Sequence, residues 1–319
     1  MSGEAARSGG ACCEEGLDQP LTWPAHVRLL DRFSGQAGST DVAHSFALDE
    51  LLCRRVGAGE EPLVHLWRHP RAFVMGLRDR RLPHAAEAMA WLRGLGYDVL
   101  VRNSGGAAVP LDPGVVNVSL ILSNPEKSLA FRRDFRYMVE LIKGALASSG
   151  QAVEAGEIDG AYCPGDYDLS IGGRKFCGIA QRRQTKAFVV QGFVVAEGSG
   201  SQRAALVREF YERAAGTGGG SGRGGGTGVS GGASEAAETA EAVEAVEADA
   251  VKDPGYPAVR PDTMASLAEL GVEGGAEGFR QGVLRWLEQQ GAVRMLADAG
   301  VPGEQAEAMI QTLRSRYDR

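Results

Sequence analysis

The sequence predicts an α+β domain: a mixed, mostly antiparallel sheet flanked by helices, with a helical C-terminal tail. Three observations carry this. Short β-patterned runs crowd the first two thirds of the chain. Helical spacing dominates the last third. The strands and helices do not alternate in the regular way of a wound parallel sheet.

The elements follow in chain order. Residues 63–67 form a short apolar run that reads as a strand. In 85–95 the apolar residues fall at 85, 88, 89, 92 and 95, which is helical spacing, and Gly96 can stop the helix. Residues 97–102 read as a strand, and 115–122 as a buried one. The stretch 129–146 reads as a helix with Phe135, Met138, Val139, Ile142 and Leu146 on one face. Residues 168–171 and 174–179 read as a hairpin about the two-residue turn Gly172-Gly173. That register pairs Ile171 with Arg174, Ser170 with Lys175 and Asp168 with Cys177. Residues 185–196 read as a strand, and 201–213 as a helix capped by Ser201. Three more helices are expected at 263–270, 279–299 and 304–316.

Composition bounds the partners. The chain of 319 residues is 44% hydrophobic and 24% charged, which suits a folded domain. The net charge of -7 and the lack of a basic stripe argue against nucleic acid. The longest apolar runs are too short to cross a bilayer, so no membrane role is expected. Residues 1–20 read as a flexible leader without the apolar core of a signal peptide. Residues 21–213 are expected to form the catalytic part and 254–319 a helical part packed on it. Between them, 214–253 reads as a low-complexity insertion. Gly216 to Gly232 hold 11 glycines in 17 residues, and an Ala/Glu-rich stretch follows. Seven acids there face only Arg223 and Lys252, so most of the chain's net negative charge lies in the insertion. The five cysteines are Cys12, Cys13, Cys53, Cys163 and Cys177, with no Cys-x-x-Cys. An odd, scattered set suggests a reducing cytoplasm rather than a disulfide framework.

Several site types are absent from the sequence: a phosphate-binding Gly-Lys-Ser/Thr loop, a Gly-x-Ser-x-Gly elbow and a His-Glu-x-x-His pair. His65 and His69 have metal spacing only on a helix, which Pro70 and the strand pattern oppose, so no metal site is assigned. Two stretches remain. Arg102-Asn103-Ser104-Gly105-Gly106-Ala107 brings a strand into paired glycines, where a backbone can bend and expose its amides to a ligand. Spacing alone equally allows a plain turn. Cys163 sits in a Pro/Gly loop, Tyr162-Cys163-Pro164-Gly165, which favours access. The hairpin that follows places Asp168, Ser170 and Lys175 on one face. An ammonium near a thiol favours its thiolate. The spacing also allows Cys163 to be a small core residue and leaves Cys177 open as an alternative, though Phe176 and Ile179 beside it suit packing.

At these stretches the chain resembles the lipoate-protein ligase and octanoyltransferase superfamily, and within it the amidotransferases that take octanoyl from the glycine cleavage H protein. Arg102 to Gly106 with Leu111-Asp112 resembles the acyl-pocket region, and Tyr162 to Gly165 with Tyr167 to Ile171 the catalytic loop. Gly173-Arg174-Lys175-Phe176 with Gly178 to Arg183 resembles the lysine motif. Gly198-Ser199-Gly200-Ser201 and Arg260 to Leu267 are similar to the amidotransferases as well. Cys177 stands where alanine is expected, and the insertion replaces a shorter connection.

The resemblance implies a biotin/lipoate-protein-ligase-like catalytic domain. It makes Cys163 the acyl-thioester nucleophile. Lys175 becomes the group that depresses the thiol pKa and donates to the acyl carbonyl. The substrate-binding set becomes Arg102, Asn103, Ser104, Gly105, Gly106, Ala107, Asp168 and Gly178. The implied donor is the octanoylated H protein, and the acceptors are lipoyl domains of E2 subunits. Neither ATP nor a metal is expected. The rivals are a transferase using octanoyl acyl carrier protein, an ATP-dependent lipoate ligase and a non-catalytic lipoyl-domain binder. The contexts of Asn103 and Asn117 fit the amidotransferase. Val109-Pro110 lacks the histidine expected after the glycines of carrier-protein enzymes.

Overall fold

The computed structural model describes residues 20–33, 41–127, 130–217 and 255–317. The expected leader, Cys12, Cys13 and nearly all of the expected insertion lie outside the described residues.

The elements run β1 (His26–Arg32), α1 (Ala43–Gly57), β2 (Leu63–Trp67), β3 (Ala72–Met75), α2 (Ala85–Gly94), β4 (Asp98–Val101), β5 (Val109–Leu111) and β6 (Val115–Ser123). Then come α3 (Phe131–Ala145), β7 (Glu154–Ala155), β8 (Leu169–Ile171), β9 (Arg174–Arg183), β10 (Ala187–Val195) and α4 (Gly200–Ala215). The C-terminal part adds α5 (Gly275–Gln290), β11 (Ala292–Leu296) and α6 (Gly303–Tyr317).

Two sheets organise these elements. The larger has the order β11-β1-β2-β6-β10-β9-β8-β7, and the smaller β4-β3-β5. In the larger, β11, β1 and β2 run parallel and every other neighbour is antiparallel. The mixed, mostly antiparallel α+β reading therefore holds. Side chains alternate across a strand, so each strand feeds two cores. On one face Val64, Leu66, Val118, Leu120 and Val190 pack with Met138, Leu141 and Ile142 of α3 and Phe279, Val283 and Leu287 of α5. On the other, Leu30, Leu63, Ile121 and Val189 pack with Leu48, Leu52 and Val56 of α1.

Several local expectations need correction. The hairpin turns at Gly172-Gly173, and Ser170 pairs with Lys175, but Leu169 rather than Asp168 lies opposite Cys177. A register shift between Leu169 and Ser170 moves the pairing by one residue. The cap of α4 is Ser199, whose side chain accepts from Gln202 N, not Ser201. The stretch 263–270 is two short 3-10 turns, Pro261–Thr263 and Ala268–Leu270, rather than one helix. The expected helix 279–299 ends at Gln290, and Ala292–Leu296 is instead a strand paired to β1. Gly291 makes the break: a Cβ there would lie 2.4 Å from the Ala25 carbonyl oxygen.

Candidate active site

The site forms where the α1 side of the large sheet meets the small sheet. Cys163 lies in the loop before β8 and is a non-glycine residue with positive φ, +50°. Such a backbone persists only where its surroundings hold it. Here Lys175 of β9 does so. Its Nζ donates to the carbonyl oxygens of Tyr162 at 2.8 Å and Cys163 at 2.6 Å, and to Asp168 Oδ2 at 2.6 Å. These three bonds take all three ammonium donors. Lys175 is fully buried and Asp168 nearly so. Burial pushes the Asp168 carboxyl up to about 6, while the Lys175 charge pulls it back down. Lys175 thus grips the backbone of the Cys163 loop.

The sulfur instead faces the glycine loop. Arg102 Nη2 and the Ala107 N–H each lie 3.4 Å from Cys163 Sγ as donors. Arg102 Nη2 also donates to the Ala107 carbonyl at 2.8 Å, which ties the loop to the guanidinium. Gly106 has φ +90°, and a Cβ there would sit 2.3 Å from Arg102 Nη2 and 3.0 Å from Sγ. Only glycine fits between them. Tyr211 of α4 accepts from Ala108 N and donates to the buried Asp79, which accepts from Gly76 N. This chain braces the far side of the loop.

The motifs of the C-terminal part hold the same loop from outside. Thr263 Oγ1 and Arg260 N both donate to the Gly160 carbonyl, and Ala265 N donates to the Lys175 carbonyl. Gly200 lets α4 approach this segment, since a Cβ there would lie 2.4 Å from Ala265 Cα.

A pocket opens from the thiol. Its atom-free space, mouth included, is about 420 Å³, and its apolar lining includes Phe46, Trp67, Val74, Val109, Leu111 and Phe193. Gly178 also lines it, and a Cβ there would run into the Phe193 ring at 2.5 Å. A second, wider cleft lies against the outer side of the glycine loop and includes Asn103, Ser104, Ala107, Pro164 and Tyr256. Cys163 is 5% exposed, so the accessible thiol expected from the Pro/Gly loop is in fact reached through the pocket.

Of the expected residues, Cys163, Arg102, Gly106 and Ala107 meet at the sulfur, and Lys175 and Asp168 meet behind it. Asn103 points elsewhere and donates to Glu50, which also takes Arg182 and Gln184. Gly105 N donates to the Gln181 carbonyl, and Ser104 Oγ is buried with no hydrogen-bond partner among the described residues. Cys177 is fully buried, and burial pushes its thiol well above the ordinary range. Burial likewise pushes Cys53 up to about 12. Asp49, Glu50, Asp79 and Tyr211 gave no signal in the sequence, since each acts on a residue more than 15 positions away or across a chain fold. His65 Nδ1 donates to Asp49 Oδ1 at 2.8 Å, and His69 accepts from Arg71 N. Among the described residues no three His, Cys, Asp or Glu side chains gather as metal ligands, and no helix is long and apolar enough to cross a membrane.

A thiol set between two donors thus opens on a mostly apolar pocket. Comparison with known proteins makes the class specific. The chain belongs to the lipoyl protein ligase A/B catalytic domain family, whose pattern matches residues 41–220. It is 42% identical over 246 residues to an octanoyl-[GcvH]:protein N-octanoyltransferase of Bacillus velezensis, covering 76% of this chain and 74% of that protein. A protein of the same description from Geobacillus kaustophilus is 50% identical over 173 residues, covering 54% of this chain and 61% of that one. The chain thus aligns over less than two thirds of the Geobacillus relative's length. A solved lipoate-protein ligase A bound with ATP shares the fold, with a TM-score of 0.61 at 17% identity over 93% of this chain and 97% of that one.

Proposed function

We propose that this chain moves an octanoyl group from the lysine of the glycine cleavage H protein to the lysine of E2 lipoyl domains, through a thioester on Cys163. The observation that carries the reading is the pair of donors, Arg102 Nη2 and Ala107 N–H, converging on Cys163 Sγ beside an apolar pocket. The names of the relatives supply the acyl group and the donor.

The chemistry balances in two steps. Sγ adds to the amide carbonyl of the octanoylated lysine, the C–N bond breaks, and the thiol proton leaves on the lysine amine. The amine of the acceptor lysine then adds to the thioester, the C–S bond breaks, and the proton returns to sulfur. Each step passes through a tetrahedral intermediate whose carbon is bonded to the sulfur and whose oxyanion lies two bonds from it. Arg102 and the Ala107 amide are the groups placed to meet it. Lys175 and Asp168 act as positioning residues, because they fix the carbonyls of the Cys163 loop. Burying six or seven methylenes at about 0.8 kcal/mol each supplies roughly 5 kcal/mol of acyl binding. One lysine amide is exchanged for another, so the reaction needs no ATP, and we assign no metal or other cofactor. We place it in the cytoplasm, where thiols stay reduced.

Intact-protein mass after mixing with octanoylated H protein, without ATP, tests the reading. It predicts a gain of one octanoyl group, removed by hydroxylamine and absent from Cys163→Ala. A gain only from octanoyl acyl carrier protein would replace the donor. No adduct from either would overturn the covalent mechanism.

A further inference from the structure

The acyl pocket is not apolar throughout. Three neighbouring strands bring polar side chains to one row of the α1 face. His65 of β2 lies opposite Ser119 of β6, and Ser119 opposite Gln191 of β10. Asp49 of α1 sits over the row and joins it: His65 Nδ1 at 2.8 Å, Ser119 Oγ at 2.5 Å and Gln191 Nε2 at 2.8 Å. Trp67 and Asn117 pair in the adjacent row. Trp67, Asn117, Ser119 and Gln191 all line the pocket.

These groups only partly satisfy one another. His65 Nε2, Trp67 Nε1, Asn117 Nδ2 and Gln191 Oε1 are all buried without a hydrogen-bond partner among the described residues. Trp67, Asn117 and Gln191 line the pocket, so three of these atoms form a polar wall, with His65 behind it, and a wall of this kind holds ordered water.

Strand spacing places the wall. Gly178 of β9 lines the pocket together with Cys163, and a Cβ there would come 3.3 Å from Cε of Lys175, whose Nζ holds the Cys163 carbonyl. Gly178 is opposite Phe193, which is opposite Asn117. Two strand spacings of about 4.8 Å make that crossing roughly 10 Å. An extended eight-carbon acyl chain, with C–C bonds of about 1.5 Å at tetrahedral angles, is roughly 9 Å long.

We propose that this polar wall sets acyl chain length, by holding water against the end of an octanoyl group and rejecting longer saturated chains. The inference rests on the octanoyl reading above. A chain of eight carbons ends where the polar atoms begin. Two further methylenes would displace that water and leave the three pocket-lining atoms with nothing to bond. Rejection through an unpaired polar site is stronger than rejection through lost contact alone.

The test is single-turnover thioester formation on Cys163, with H protein carrying octanoyl-lysine or decanoyl-lysine. The quantity read is the decanoyl-to-octanoyl rate ratio, which a general loss of folded protein leaves unchanged. Asn117→Leu and Gln191→Leu each remove an unpartnered atom. Each is expected to raise the ratio by about tenfold. A ratio within twofold of wild type in both leucine variants would overturn the wall as the length gauge. Absence of any octanoyl thioester on the wild-type protein would instead overturn the functional reading, and this inference with it.

Discussion

The two faces of the large sheet are built by the same strands but differ in kind. Toward α3 and α5, the successive inward positions of β2, β6 and β10 are Val64, Leu66, Val118, Leu120 and Val190, all buried in one apolar core. Toward α1, the intervening positions include His65, Asn117, Ser119 and Gln191. Both faces are covered, so packing alone would favour apolar side chains on both. The α3 face answers to stability. The α1 face gives up part of that core to a pocket, a polar row and the thiol at its head.

The contrast can be broken from either side. Lys175→Met should have the largest effect. It strips the donors from the Tyr162 and Cys163 carbonyls and leaves the Asp168 carboxyl buried alone. Octanoyl loading should fall by about a hundredfold, and the fold should lose about 3 kcal/mol. Single-turnover mass measurements and urea unfolding would read the two losses. Leu120→Ala, on the opposite face, should separate them. It should cost about 2–5 kcal/mol in urea unfolding while loading per folded molecule stays near wild type.

A smaller effect comes from pH. With the Asp168 carboxyl pushed up to about 6 by burial, acidification from pH 7 protonates it and weakens its grip on Lys175. Octanoyl loading should therefore drop through about pH 6, and Asp168→Asn should lack that step. Stability moves the other way. The folded chain holds this proton more tightly than an unfolded one, whose carboxyl titrates near about 3.9. The group's contribution is full below that value and is lost as pH rises through about 6. Urea midpoints of wild type relative to Asp168→Asn, taken across that range, check the sign.

Much of the frame was legible in the sequence because its signals are local. The β2 run, the spacing of α2 and α3, and the Gly172-Gly173 turn each declare themselves within a few residues. What stayed hidden depended on distant partners. α1 carries Asp49 and Glu50 as buried acids, which blurs its apolar stripe. β11 reads as helix continuation, and only parallel pairing with β1 makes it a strand. The site divides in the same way. The loop of Cys163, the hairpin with Lys175 and the glycine pair stand out as motifs. That Arg102 rather than Lys175 reaches the sulfur follows from the fold of the Gly105-Gly106 turn, which spacing does not reveal. The row His65, Ser119, Gln191 and Asp49 is spread over three strands and a helix, and no sequence window contains it.

The central claim is that the thioester on Cys163 lies on the path of transfer. The most direct test is to isolate the octanoyl-protein, free of donor and ATP, and mix it with an E2 lipoyl domain. The expected result is loss of the octanoyl mass from this chain and a matching gain on the lipoyl-domain lysine, at a rate no slower than overall transfer. An octanoyl-protein that keeps its acyl group, or gives it only to water, while overall transfer from the H protein proceeds, would contradict it.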